Sequence, residues 1–179
     1  MKTVGSRRGS RLPSAPIGQL RQRSRGSNLI VNSLRRLVED ELAPHGHGTN
    51  VSAEGSDLPL NPQAAEALDK VLHELTANAV KQGALATADG QVAGRWQIAG
   101  EISVAQLSLV WQEVGTSSVV TPMRTGFDTH LIDDVVHHEL GGRVELSLPP
   151  TGMRWEMHVP LARVAARQIE AALEGSARH

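Results

Sequence analysis

The sequence predicts an α+β two-layer sandwich: a mixed, mostly antiparallel sheet covered by helices on one face. Three observations carry that expectation. Pro62 to Gln82 is a long stretch with apolar residues at helical spacing. After Gly90 the period changes from helical to alternating, as a half-buried strand requires. The alternating runs are then joined by short polar connections around Gly100–Ser103 and at Pro149-Pro150-Thr151-Gly152, which suit hairpins. A doubly wound parallel sheet would need a helix between successive strands.

In chain order, Leu29 to Leu42 reads as a short amphipathic helix with Leu34, Leu37, Val38 and Leu42 on one side. It stops at Ala43-Pro44 and the His45-Gly46-His47-Gly48 loop. Those two histidines have no carboxylate or third histidine at ligand spacing, so a loop is the reading rather than a metal site. Asn50 to Ala53 is a short strand. Asn61 then caps the long helix, Pro62 suits its first turn and Gly83 ends it. Val92–Ala99 and Leu107–Glu113 are neighbouring strands, followed by a loop from Val114 to Thr125. A second helix covers Thr129–Leu140 and ends at Gly141-Gly142. Arg143–Leu148 and Met153–Val159 form a hairpin, and Leu161–Leu173 is a last helix or tail.

The chain of 179 residues has one domain's worth of length and an ordinary composition, 40% apolar and 21% charged, which excludes wholesale disorder. Without cysteine there is no disulfide framework, no Cys-ligated zinc and no thiol chemistry. No run has the length of a membrane span, and the N-terminus lacks the apolar stretch of a signal peptide, so the expected location is cytoplasmic. The net charge of −1 hides an asymmetry, because residues 1–26 carry seven basic side chains and no acid. That stretch, also rich in Ser, Gly and Pro, reads as a flexible basic tail over 1–27. The domain is expected over 28–163, with 164–179 as the C-terminal helix or tail. Aromatic residues are too few for a stacking platform, so nucleic acid is not an expected partner beyond what the basic tail offers.

Three constellations could carry chemistry. On the long helix, Leu68, Leu72, Leu75 and Ala79 form the core stripe, and Glu74, Asn78 and Lys81 line the adjacent edge at i, i+4 and i+7. An amide oxygen can ligate a hard cation, an ammonium can meet phosphate, and a carboxylate can hold a water or accept a proton. By spacing alone the row is equally the polar edge of any amphipathic helix. Next, Leu107 to Gly115 delivers Glu113 from a strand to a glycine-containing loop, a way to place one acceptor in a pocket. Last, Gly126-Phe127-Asp128-Thr129-His130 enters a helix, where free backbone amides favour an anion.

Together and in this order, these segments resemble the HWE family of bacterial sensor histidine kinases. His73-Glu74-Leu75-Thr76-Ala77-Asn78-Ala79-Val80-Lys81-Gln82-Gly83-Ala84-Leu85 resembles the family's N-box, and His73, Trp111 and Glu113 match the letters that name it. The likeness continues through Pro122-Met123-Arg124-Thr125-Gly126-Phe127, Leu131-Ile132, Glu139-Leu140-Gly141-Gly142-Arg143-Val144 and Gly152-Met153-Arg154-Trp155. It also reaches back to Leu37-Val38-Glu39-Asp40-Glu41-Leu42-Ala43-Pro44, so that it covers roughly residues 28–162.

The resemblance implies an ATP-binding domain of the GHKL, or Bergerat, type with ATP and Mg as cofactors. Asn78 would then ligate magnesium, Glu74 would polarise a water or the transfer reaction, and Lys81 would contact phosphate. Glu113 would accept the adenine amino group, Gly115 would let the base approach, and Gly126 and Thr129 would belong to a phosphate lid. His73 and Trp111 would brace the pocket. The sequence departs from the family at Thr116 and Asp128, where glycines are expected, and it carries no phosphoacceptor box. The implied function is γ-phosphoryl transfer from Mg-ATP to a histidine supplied by another segment or chain. The partners would be an acceptor-histidine dimerisation domain or a response regulator, with a homodimer left open. Two other readings stay open: a catalytically degenerate module that docks a response regulator or kinase partner, and a serine kinase of the anti-sigma type.

Overall fold

The computed structural model describes residues 32–46, 50–101, 104–115 and 129–166. Helix α1 (Leu34–Leu42) starts where the Ser33 side chain accepts from the Arg36 amide, and it buries Leu34, Leu37, Val38 and Leu42, the side read from the sequence. Helix α2 (Pro62–Gln82) has the expected bounds. Asn61 Oδ1 accepts from the Ala64 amide at 2.8 Å, and the same side chain donates to the Arg163 carbonyl at 2.9 Å, so the cap also holds the chain leaving the sheet. Losing such a cap costs about 1 kcal/mol.

Among the described residues, five strands follow the order β1-β2-β3-β5-β4. They are β1 (Val51–Glu54), β2 (Gln91–Ala99), β3 (Gln106–Val114), β4 (Arg143–Ser147) and β5 (Gly152–Pro160). Only β1 and β2 run parallel; the other three pairings are antiparallel, which makes the sheet mixed and mostly antiparallel as the sequence predicts. The register puts Leu107, Leu109 and Trp111 of β3 opposite Val159, Met157 and Trp155 of β5, all buried beneath the helices. Each such side chain contributes about 1.5–3 kcal/mol relative to exposure. Leu68, Leu72, Leu75 and Ala79 of α2 complete this core.

The second helix differs from its expected form. Helix α3 (Thr129–Asp134) passes into a π turn over Val135–Glu139, closed by the Leu140 amide bonding the Val135 carbonyl five residues back. Val135, Val136 and Leu140 are all buried there, while Lys70 of α2 reaches Glu139 at 3.8 Å. Helix α4 (Leu161–Val164) is a single turn within the described residues.

The helix-free face of the sheet carries an ionic cluster that the sequence reading missed. Arg154, Glu156 and His158 alternate along β5 on that face, and this period-two pattern was the available signal. Glu156 accepts from Ser108 at 3.0 Å and pairs with Arg154 at 2.5 Å and His158 at 3.3 Å. Burial alone would raise its pKa, but Arg154, Ser108 and His158 outweigh that and hold it below the ordinary 4.5. A carboxylate with a lowered folded pKa stabilises the fold above its unfolded value and loses that contribution as pH falls through the folded one. Glu156→Gln should therefore cost about 1.5–3 kcal/mol at neutral pH, the worth of hydrogen bonds to a charged group. Urea melts should show that deficit shrinking as pH drops below 4.5.

Candidate functional site

At one end of the sheet, the last residues of β3 meet the end of α2. Period-two alternation turns Trp111 and Glu113 to the same covered face, and Glu113 is only 2% exposed. Its Oε2 accepts from the Ala84 amide at 2.8 Å, just past the helix terminus, and its Oε1 accepts from the Trp111 indole at 3.2 Å. Burial pushes the Glu113 pKa above the ordinary value, and these two donors only partly offset it. The surrounding backbone is tightly packed. Gly115 lies at φ +83°, where a Cβ would come within 2.9 Å of the Asp89 carbonyl oxygen, so the fold itself requires glycine there. Thr87, not singled out by sequence, directs its hydroxyl at the carbonyls of Ala84 and Gly115 (3.0 and 3.3 Å) and ties the turn after α2 to the turn after β3.

The polar edge of α2 resolves into different environments. Asn78 is 4% exposed and its Nδ2 donates to Glu74 Oε1 at 3.0 Å. Since a carboxylate only accepts, this contact fixes the amide orientation and leaves Oδ1 as the atom for a hard cation or other donor. Glu74 is half-buried, and Lys81 is exposed in the last turn of α2, where a cation also complements the helix dipole. Glu113 thus meets the end of α2, while the buried Asn78 and its partner Glu74 lie further back along the same helix.

His73 is a correction. It is exposed and donates to Glu41 on α1 at 3.0 Å, so it braces the helix pair rather than the Glu113 end, which lies about 15 Å further along α2 at 1.5 Å per residue. Trp111, by contrast, does brace the carboxylate. Gly126, Asp128 and Thr116 lie outside the described residues, as does His47; Thr129 opens α3. Among the described residues there is no cluster of three His, Asp or Glu able to hold a metal. No helix in that set is long and apolar enough to cross a membrane.

No family profile matches the chain. It is 30% identical over 130 residues to the blue-light-activated histidine kinase of Rhizobium johnstonii, covering 73% of this chain and 37% of that protein. It is 34% identical over 131 residues to blue-light-activated histidine kinase 1 of Erythrobacter litoralis, covering 70% and 35%. A third relative, the blue-light-activated histidine kinase of Brucella anthropi, is 26% identical over 140 residues, covering 77% and 28%. The chain thus spans about a third of the length of the curated relatives it matches. Among solved structures, the histidine kinase domain from the Erythrobacter litoralis blue-light activated histidine kinase matches with TM-score 0.53 at 19% identity, over 77% of this chain and 61% of that one. The catalytic domain of histidine kinase ThkA matches with TM-score 0.53 at 13% identity, over 73% and 95%. At those identities the structures show a shared fold, and the curated relatives carry the sequence kinship. Fold and relatives agree with the likeness read from His73, Trp111 and Glu113: the chain is related to the sensor histidine kinases and has the fold of their catalytic domains.

Proposed function

We propose that this domain binds Mg-ATP at the end of α2 and β3 and transfers the γ-phosphoryl group to a histidine supplied by another segment or chain. The observation that carries the reading is a buried carboxylate, Glu113, bonded to the amide just past α2, together with a buried amide, Asn78, on the helix that ends there. Glu113 accepts the adenine amino group, using lone pairs left over from Ala84 and Trp111, since a carboxylate has about four acceptor sites. The Asn78 Oδ1 holds magnesium, and Glu74 keeps that amide aimed. A bound magnesium ion supplies charge neutralisation on the phosphates. Lys81 meets the phosphates from the helix edge, and Gly126 and Thr129 belong to the lid over them. Phosphoryl transfer asks little covalent chemistry of the protein, so the residues chiefly position and neutralise. An acceptor-histidine domain or a response regulator is the expected partner.

Calorimetric titration with a non-hydrolysable ATP analogue, with and without magnesium, tests this. Saturable, magnesium-enhanced binding is the expected result, and no binding in either condition would overturn it. The chain alone should form no acid-labile phosphate when incubated with γ-labelled ATP. The sequence shows no acceptor box, and His45 sits in a single 3₁₀ turn after α1. Acid-labile label on this chain would refute that expectation. Binding without transfer to an added acceptor domain would favour the docking-module reading, for which the departures at Thr116 and Asp128 speak.

A further inference from the structure

We propose that Trp111 is a positioning residue for base recognition: its indole N–H holds the Glu113 carboxylate in the one orientation that leaves acceptor sites for an adenine amino group. The inference rests on the reading of Glu113 above and adds the device that aims it. Trp111 is fully buried, and two residues along the same strand its indole nitrogen reaches Oε1 at 3.2 Å. The spacing is what the chemistry needs, because alternate residues of a strand share a face and i and i+2 are nearest neighbours on it.

The other side of the carboxylate is fixed by backbone. Ala84 N–H takes Oε2 at 2.8 Å, and a Cβ at position 83 would stand 2.2 Å from that oxygen. Gly83 therefore leaves the space the carboxylate occupies. With Oε2 held against the helix end, the indole is the remaining donor that sets the rotation of the group. Among the described residues no charged side chain pairs with Glu113, so the two N–H groups alone compensate its buried charge. Removing either donor raises the pKa further, since a hydrogen bond to the charged form favours that form.

The test compares the full chain with Trp111→Phe, which keeps an aromatic ring and loses the N–H. A second variant carries benzothienylalanine at position 111, isosteric with tryptophan and unable to donate, and it serves if the phenylalanine variant does not fold. Affinity for the magnesium complex of a non-hydrolysable ATP analogue is measured from pH 5 to 8, and affinity for magnesium tripolyphosphate in parallel. An ionised acceptor is needed for the amino group, so affinity falls on the acid side as Glu113 protonates. The expected result is that this acid limb moves up by about one pH unit in the variants, roughly tenfold in affinity below it. Tripolyphosphate, which lacks a base, should give coinciding profiles. A purely structural role would weaken binding evenly across pH, and an unmoved acid limb in the isosteric variant would overturn the proposal. Absence of nucleotide binding in the unmodified chain would instead overturn the reading of the site, and this inference with it.

Discussion

Gly152→Ala is expected to lower stability by about 2–6 kcal/mol and to loosen the β3–β5 end of the candidate site. Gly152 has φ +148°, a conformation side-chain-bearing residues rarely adopt, and strain of that kind costs about 1–3 kcal/mol. A Cβ there would also stand 2.0 Å from the Glu113 carbonyl oxygen and 2.8 Å from its carbon. Both obstacles are backbone, so no rotamer change relieves them. The strands must part where Val114 pairs with Gly152, and overpacking adds a further 1–3 kcal/mol or so. Against a typical total of about 5–15 kcal/mol this is a large fraction. At roughly 2–4 °C per kcal/mol for a domain of this size, the melting midpoint should fall by about 4–24 °C. A calorimetric scan decides, and an unchanged midpoint would mean that the turn between β4 and β5 accommodates a side chain.

Much of this architecture was legible in the sequence because it is written in local periodicity. The bounds of α2 follow from a cap, a proline and a glycine acting within one turn of the helix, with no distant partner involved. The faces of β2, β3 and β5 follow from alternation in the same way. The π turn at Val135–Glu139 was not legible. It inserts one extra residue per turn to bury Val135, Val136 and Leu140 together, a demand made by the packed layer rather than by the segment.

The site divides along the same line. That Glu74 and Asn78 share an edge is helix geometry, and that Trp111 and Glu113 share a face is strand geometry. That Glu113 is capped by the Ala84 amide, and that His73 turns away to Glu41, depend on partners 29 and 32 residues distant. Spacing cannot register such partners. The same holds for Glu156, whose partner Ser108 lies 48 residues away on another strand.

Asn78→Ala should give the largest change in magnesium-dependent nucleotide binding, about 10–100-fold, comparable with the loss of an orienting partner at a metal site. The amide is buried and oriented by Glu74, so the alanine variant deletes an aimed oxygen rather than a mobile surface group. Affinity measured without magnesium should change far less, because Glu113 and its two donors are untouched. Glu74→Gln separates aim from ligation. The new amide can still accept from Asn78 Nδ2, but it can also offer its own N–H to Oδ1, so the Asn78 side chain no longer has one favoured orientation. Magnesium-dependent affinity should then fall by less than in Asn78→Ala, with little loss of stability. Glu74→Ala should in addition cost about 1–3 kcal/mol, since a nearly buried donor is left without its acceptor. Calorimetry with the ATP analogue at saturating and zero magnesium reads all three variants. If Asn78→Ala weakens binding equally in both conditions, the amide contributes to the shape of the pocket and does not hold the ion.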